Sequence, residues 1–149
     1  MNDRGGFILR GNQGYLKLEL EELFGFPDST SIFGGYDANG IVEIKSSGFG
    51  ASGELWFSTG EVYLFYKQLK KSFEDLSGEA SFSSTEHNLE FKCTFTWQGH
   101  IMCTGFYKEY PAQENELRFE FLSDQSFIPS TLKDLKEFVQ MYGGPKGIK

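Results

Sequence analysis

The chain has 149 residues, which is the length of one domain, and its 17% aromatic content, with 16 phenylalanines, supplies bulky side chains for a core. Its formal net charge of −7 disfavours a nucleic-acid backbone or an anionic membrane as partner, because like charges repel. The same charge suits a basic protein partner, and it also suits ordinary solubility.

The sequence shows no targeting segment and no membrane span. No apolar segment follows Met1, and the longest apolar run, residues 62–66, is far shorter than the roughly 20 residues that a membrane helix needs. We therefore expect a cytoplasmic protein that does not contact a membrane. The two cysteines are too few for a disulfide scaffold, which agrees with that location.

The first third of the chain predicts short strands separated by glycine-rich connections. Leu16, Leu18 and Leu20 alternate with charged residues, which is typical of a strand with one buried face. Glycines and Pro27 interrupt such patterns and predict loops and turns. The predicted strands are residues 7–10, 15–23 and 41–46, and the predicted connections are residues 24–30, 34–40 and 47–52.

Residues 53–76 change from the period of a strand to the period of a helix. Leu55 and Phe57 alternate with Glu54 and Trp56, which predicts a strand with the first pair buried and the second pair outside. The residues that follow predict a long amphipathic helix. One such helix in a chain of short strands should cover the apolar face of a sheet.

Ser58 and Glu61 predict the start of this helix, because a serine followed three residues later by a glutamate can form a capping box. The helix is predicted over about residues 59–77, and Gly78 is predicted to end it. Its apolar stripe recurs at three- and four-residue steps. The stripe consists of Val62, Phe65, Leu69, Phe73 and Leu76.

The clearest strand pattern lies at residues 89–97, where apolar residues, including Trp97, alternate with polar ones. A three-residue loop at residues 97–99 predicts a hairpin in which Cys93 faces Cys103. The predicted strands of this half are residues 79–83, 89–97, 100–107 and 117–121, with a turn at residues 84–87.

A second amphipathic helix is predicted over about residues 131–142, with Ser130 or Thr131 as its cap and residues 143–145 as its end. Its apolar stripe consists of Leu132, Leu135, Phe138, Val139 and Tyr142.

These elements predict one α+β domain over residues 1–149, without an internal repeat or a linker. Short turns between strands imply a twisted antiparallel β-sheet of about seven to eight strands, packed with the two amphipathic helices. Residues 1–6 and 144–149 are expected to be frayed.

The sequence contains no recognisable motif of a catalytic or metal-binding site. His87 and His100 lack a metal-ligand spacing, and no GxSxG turn for a nucleophile occurs. Gly48, Gly50 and Gly53 match the spacing GxGxxG, but they lead into a predicted strand, so we interpret them as a turn or bulge. We expect no catalytic residue, no metal and no cofactor.

Cys93 and Cys103 allow two interpretations. They are two reduced, buried side chains, or they form a cross-strand disulfide. The second interpretation fits poorly with a cytoplasmic chain.

Acidic and aromatic residues on the predicted outer strand faces are candidates for binding a protein. Trp56 lies among acids on such a face, although packing under a helix or loop is an alternative for it. Two carboxylates, such as Glu54 and Glu61, could be proposed as a catalytic acid and base, but a solvated face is the simpler interpretation. The candidate partner-binding residues are Glu54, Trp56, Glu90, Glu116 and Glu120.

Several sequence blocks, in their order and spacing, resemble the WapI-like immunity proteins of bacterial polymorphic-toxin systems. The likeness covers roughly residues 16–142. The blocks are residues 34–37, 53–61, 86–91, 115–121 and 123–127, which read GGYD, GELWFSTGE, EHNLEF, NELRFEF and SDQSF.

The resemblance implies a small cytoplasmic protein, not an enzyme, that binds the C-terminal toxin domain of a wall-associated or secreted toxin and blocks it by occlusion. Toxins of that kind are often nucleases and therefore basic, which an acidic inhibitor would match. We expect a monomer or homodimer that binds no nucleic acid.

Two other functions are open at this point. The phenylalanine-rich sheet could wrap a cavity and bind or convert a small molecule, in which case a polar cavity should hold His100 or Glu61. The chain could also serve only in oligomerisation or scaffolding. A core filled by side chains favours the inhibitor instead.

Overall fold

The computed structural model describes residues 2–142, which contain eight strands and two α-helices. The strands are β1 (Gly6–Arg10), β2 (Gly14–Leu23), β3 (Asp37–Ser46), β4 (Phe49–Ser58), β5 (Gly78–Ser83), β6 (Leu89–Phe95), β7 (His100–Tyr107) and β8 (Leu117–Asp124). The helices are α1 (Thr59–Asp75), between β4 and β5, and α2 (Ile128–Met141), after β8.

The strands form two four-stranded antiparallel sheets, with the orders β1-β2-β3-β4 and β5-β6-β7-β8. Each sheet is a meander, as the short predicted turns require. The predicted α+β fold, its strand number and both of its helices are confirmed. The strands divide between two sheets because α1 carries the chain away from β4 before β5 begins.

Both sheets and both helices enclose one core. Phe65 of α1 is fully buried, and its ring contacts Phe7 of the first sheet, with ring centroids 5.8 Å apart. The same ring contacts Phe91 and Phe82 of the second sheet, at centroid distances of 5.1 and 6.4 Å. Helix α1 therefore fills the space between the sheets, and its apolar stripe serves both of them.

The start of α1 confirms the predicted capping box. The Ser58 hydroxyl accepts from the Glu61 amide at 3.1 Å, and the Glu61 carboxylate accepts from the Ser58 amide at 2.7 Å. The predicted end of the helix is wrong, because Leu76 itself adopts the left-handed conformation, with φ of 50°. Leu76 is consequently an exposed cap instead of a stripe residue, and Gly78 already belongs to β5.

Two connections that we predicted are partly strand. Strand β3 begins at Asp37, inside the predicted turn 34–40, and β4 begins at Phe49, inside the predicted connection 47–52. The predictions failed because glycine usually marks a turn, whereas Gly40 lies in a strand. A Cβ atom at Gly40 would lie 2.3 Å from a carbonyl oxygen of β2, so only glycine fits that pairing.

The hairpin between β6 and β7 has the predicted register, with Cys93 opposite Cys103. Trp97 does not continue the strand. It begins a 3₁₀ turn over Trp97–Gly99, and its side chain is 81% exposed, so the inward position that we predicted for it is wrong. The reason is that β6 ends at Phe95, where the chain turns out of the sheet.

Helix α2 begins three residues before the predicted position 131 and lacks a side-chain cap. Pro129 occupies its first turn, where the missing amide hydrogen is not needed. Thr131 is buried and donates to the carbonyl of Ile8 at 2.7 Å, so it joins α2 to β1 instead of capping the helix. The predicted stop at residues 143–145 and the predicted frayed tail, residues 144–149, lie outside the described residues.

Asn2, in the segment 1–6 whose fraying stays a prediction, makes two hydrogen bonds to β2. The Asn2 side chain donates to the Leu20 carbonyl at 3.0 Å, and the Asn2 amide donates to the Glu19 carboxylate at 2.9 Å. Gly6 is the first residue of β1.

Hydrogen bonds between the two sheets join them at their edges. The Ser123 hydroxyl of β8 donates to the Arg10 carbonyl at 2.6 Å, and the Ser46 hydroxyl donates to the Glu120 carbonyl at 2.7 Å. On β4, the Glu54 carbonyl accepts from the Tyr107 hydroxyl at 2.6 Å. These contacts cover strand edges that would otherwise be open to another chain.

The Tyr107→Phe variant tests one of these joints. Removing the hydroxyl leaves the Glu54 carbonyl without its donor, and we expect the free energy of unfolding to fall by about 1 kcal/mol in urea denaturation. The matched control is Tyr110→Phe, because the exposed Tyr110 hydroxyl forms no hydrogen bond with any of residues 2–142. Equal stability of the two variants would contradict a joint at Tyr107.

Candidate partner-binding surface

The five predicted partner-binding residues do not lie on one surface. Glu54 and Trp56 lie on the outer face of β4 in the first sheet. Glu90 on β6 and Glu120 on β8 lie on the outer face of the second sheet, and Glu116 directly precedes β8. The structure thus brings together one pair from the first sheet and a separate group from the second.

Trp56 combines the two positions that we considered for it. Its ring stacks on Phe24, which directly follows β2, with centroids 5.4 Å apart and ring planes 25° apart. It is nevertheless 43% exposed, so part of the residue remains open to a partner. Asn39 of β3 lies beside it and separates it from Glu22 of β2, both on the outer face of the sheet.

The connection between β2 and β3, which we name the β2–β3 loop (residues 24–36), is held against the start of α1. The buried Tyr36 donates its hydroxyl to the Pro27 carbonyl at 3.0 Å, and its amide donates to the Thr59 hydroxyl at 2.9 Å. The Gly60 amide donates to the Gly34 carbonyl at 3.2 Å. A Cβ atom at Gly60 would lie 2.4 Å from Gly34, so glycine allows the loop to approach the helix.

The same loop exposes large apolar side chains on its outside. Ile32 is 85% exposed, and the other members are exposed by more than a third. Contiguous exposed apolar side chains are unusual on a protein surface and indicate a binding site for another molecule. We name this group the apolar patch, and it consists of Phe24, Phe26, Ile32, Phe33 and Trp56.

The sequence segment that contains this patch is strongly acidic. Residues 18–66 contain eight acidic residues and one basic residue, Lys45, so their formal charge of −7 equals that of the whole chain. The remainder has 13 acidic and 13 basic residues. Among residues 2–142, no salt bridge includes the exposed carboxylates of this segment at Glu22, Asp28, Asp37 or Glu54.

Sequence reasoning named Trp56 as a candidate but did not name the other members of the apolar patch. The β2–β3 loop shows no strand or helix period, so its apolar residues had no predicted face. A usable signal was present nevertheless, because four large apolar residues occur in a segment of glycines, serines and a proline that cannot bury them in a regular element.

Comparison with protein families identifies the chain. The family model described as "Immunity protein WapI-like family" matches residues 7–143, which include both sheets and both helices. The chain belongs to the WapI-like immunity protein family. The resemblance noted in the sequence is thereby confirmed, and a comparison with curated proteins found no match. Membership supports an immunity role for this WapI-like protein.

A small-molecule site was expected in a polar cavity that holds His100 or Glu61. Open depressions of about 300 to 530 Å³ lie on the surface of the WapI-like protein, and neither Glu61 nor His100 lines any of them. No group of three or more histidine, cysteine or acidic side chains within residues 2–142 could hold a metal ion. Within the same residues, no helix is both long and apolar enough to cross a membrane.

Glu61 has the most perturbed carboxylate near the patch. Its pKa is raised to about 7, chiefly because burial disfavours the charged form, and the negative charge of Asp37 adds to the rise. Hydrogen bonds from the Ser58 amide and the Thr85 hydroxyl oppose the shift. The carboxylate serves the helix cap, and nothing places it against a substrate.

Ser83, His87 and Glu90 come together on the second sheet, but not in the geometry of a catalytic triad. The Ser83 hydroxyl lies 2.9 Å from His87 Nδ1 and 3.0 Å from the Glu90 carboxylate. In a triad the acid orients the second nitrogen of the imidazole, whereas this carboxylate contacts the serine itself.

The two cysteines lie side by side in the core as free thiols, with their Sγ atoms 3.9 Å apart. The hydrogen bond from Cys103 and burial together raise the pKa of Cys93 well above its usual value. Buried thiols of this kind are unreactive, which agrees with the first of our two interpretations.

Proposed function

We propose that this WapI-like immunity protein binds the C-terminal toxin domain of a cognate polymorphic toxin in the cytoplasm and blocks it by occlusion, without catalysing a reaction. The toxin domain that we infer is a nuclease with a basic groove. Family membership supports the immunity role, and one observation carries the inference about charge. Residues 18–66, which contain the exposed apolar patch, have a formal charge of −7, and four of their exposed carboxylates form no salt bridge within residues 2–142.

Occlusion needs no reacting group on the inhibitor. A basic groove binds its nucleic acid through the phosphates, so an acidic protein surface that fits the groove competes directly with the substrate. Carboxylates that lack a basic neighbour are available to meet arginine and lysine side chains of the partner, which speeds association and fixes the register of the complex.

Co-expression tests the proposal. The C-terminal domain of a large secreted protein encoded next to this chain is produced alone and together with the chain in a bacterial host. We expect growth arrest in the first case and growth in the second, and the two proteins should co-purify as a complex. Continued arrest in the presence of the folded chain would contradict an immunity function.

The salt dependence of binding tests the electrostatic part separately. If basic groups of the toxin meet the acidic segment, the association rate measured by stopped flow should fall at least about tenfold between low and high salt. The dissociation rate should change less, because apolar contacts hold the formed complex. An association rate that ignores salt would leave inhibition intact but contradict a basic toxin surface.

A further inference from the structure

We propose that the apolar patch, together with the carboxylates around it, is the surface that docks onto the toxin domain. This inference rests on the proposed function and places the toxin-binding site at one end of the first sheet. The partner surface that fits it has apolar or aromatic side chains surrounded by arginine and lysine. The second sheet then faces away from the toxin.

The composition of the patch favours docking. Three phenylalanines, one tryptophan and one isoleucine are exposed on one loop and the adjoining strand, which is the residue class that supplies most of the binding energy in protein interfaces. Two other exposed large apolar residues lie elsewhere. Phe49 lies at the opposite end of β4, and Trp97 lies in the turn of the second sheet.

The rigidity of the β2–β3 loop strengthens the argument. Its backbone is held by internal hydrogen bonds, such as that from the Ser31 amide to the Gly35 carbonyl at 2.7 Å, and by its contacts with α1. Phe26 packs edge-on against the buried Tyr36, with centroids 5.0 Å apart. A loop that is already ordered loses little entropy on binding, so its exposed side chains contribute more to affinity.

The negative charges around the patch favour a basic partner. Glu22, Asp28, Asp37 and Glu54 belong to this end of the sheet or to the loop itself, and none of them is neutralised by a salt bridge within residues 2–142. A second copy of this chain would present the same negative charges, which disfavours self-association through the patch.

The outer face of the second sheet is less suited to a basic partner. Arg118 pairs with Glu116 at 2.9 Å, and Lys92 lies 4.0 Å from Glu79, so positive and negative groups already alternate there. Glu90 and Glu120 therefore contribute to a mixed surface, whereas Glu54 and Trp56 belong to the acidic one.

A matched pair of double variants tests the docking surface. Trp56→Ala with Ile32→Ala removes two side chains of the apolar patch, and Trp97→Ala with Phe49→Ala removes two exposed large apolar side chains elsewhere. The probe is the C-terminal domain of the neighbouring secreted protein, inactivated by mutation. By calorimetry, we expect the dissociation constant to rise at least about 30-fold for the first variant and less than about threefold for the second.

Charge reversal gives a second readout that does not depend on removing packed rings. Asp28→Lys with Glu54→Lys and Glu116→Lys with Glu120→Lys change the net charge equally, and all four side chains are exposed. We expect the association rate to fall about tenfold for the first pair and about twofold for the second. Circular dichroism checks that every variant is folded.

The outcomes separate the two proposals. If the wild-type chain binds and protects, and both patch variants bind as well as their controls, the docking surface is wrong while the immunity function stands. A larger loss for Glu116→Lys with Glu120→Lys would place the toxin on the second sheet and overturn the inference. If the wild-type chain neither binds nor protects, the proposed function fails, and the docking surface fails with it.

Discussion

The Phe65→Ala variant is expected to lose about 3–5 kcal/mol of unfolding free energy. Phe65 is fully buried, and its ring contacts phenylalanines of both sheets. Removing the ring leaves a cavity at a place where α1 contacts both sheets, and the neighbouring strands cannot close around it without moving relative to each other.

Leu64→Ala is the matched control, since Leu64 precedes Phe65 in the same helix but is exposed. Its free energy of unfolding should change by no more than about 0.5 kcal/mol. Urea denaturation followed by circular dichroism measures both variants. A loss below about 1 kcal/mol for Phe65→Ala would mean that the sheets do not depend on this helix for their association.

Periodicity predicted most of the regular elements because each of them buries one face. The alternation of β2 and the stripe of α1 indicate directly which residues face the core, so the inward residues of β2 and the first three stripe residues of α1 were assigned correctly, whereas Leu76 was not. The capping box worked for the same reason. It is a local hydrogen-bond pattern that tertiary contacts do not alter.

Boundaries failed where tertiary contacts decide the backbone. Glycine is a typical turn residue, yet Gly40 lies in the central strand β3. The backbone of β2 approaches Gly40 so closely that no residue with a Cβ atom would fit there. Thr131 has the chemistry of a helix cap, yet its hydroxyl is used by the carbonyl of Ile8, more than a hundred residues away. Neither partner can be read from the neighbouring sequence.

For a related reason, only some residues of the candidate surface could be identified from the sequence. Alternation indicates which strand residues face outward, and it found Trp56 and Glu54. It also selected Glu90 and Glu120, which face outward on a different sheet, because alternation does not reveal which sheet a strand joins. Residues of the β2–β3 loop had no period at all, and only the fold shows that Phe24 stacks on Trp56.

Stability is expected to fall as the pH rises through the range from about 4.5 to above 7, with Glu61 as the cause. The pKa of this carboxylate is about 7 in the folded chain and 4.5 in its ordinary state, so the folded state binds more protons between these values. Below a pH of about 4.5, the protonated Glu61 carboxyl makes its full favourable contribution to the free energy of unfolding. It is lost as Glu61 ionises, and burial of the charge then lowers the free energy of unfolding by on the order of 2 kcal/mol.

Glu61→Gln isolates this effect, because glutamine keeps an oxygen that can accept from the Ser58 amide and carries no charge. We expect the variant to match the wild type near pH 5 and to be more stable by on the order of 2 kcal/mol at pH 8. Glu86→Gln, at an exposed position in the turn after β5, is the control for exchanging a glutamate for a glutamine away from the cap. Urea denaturation across the pH range measures the difference between variant and wild type. A difference that stays constant with pH would show that the pKa of Glu61 is the same in the folded and the unfolded chain. The charged carboxylate at the start of α1 would then not lower the free energy of unfolding.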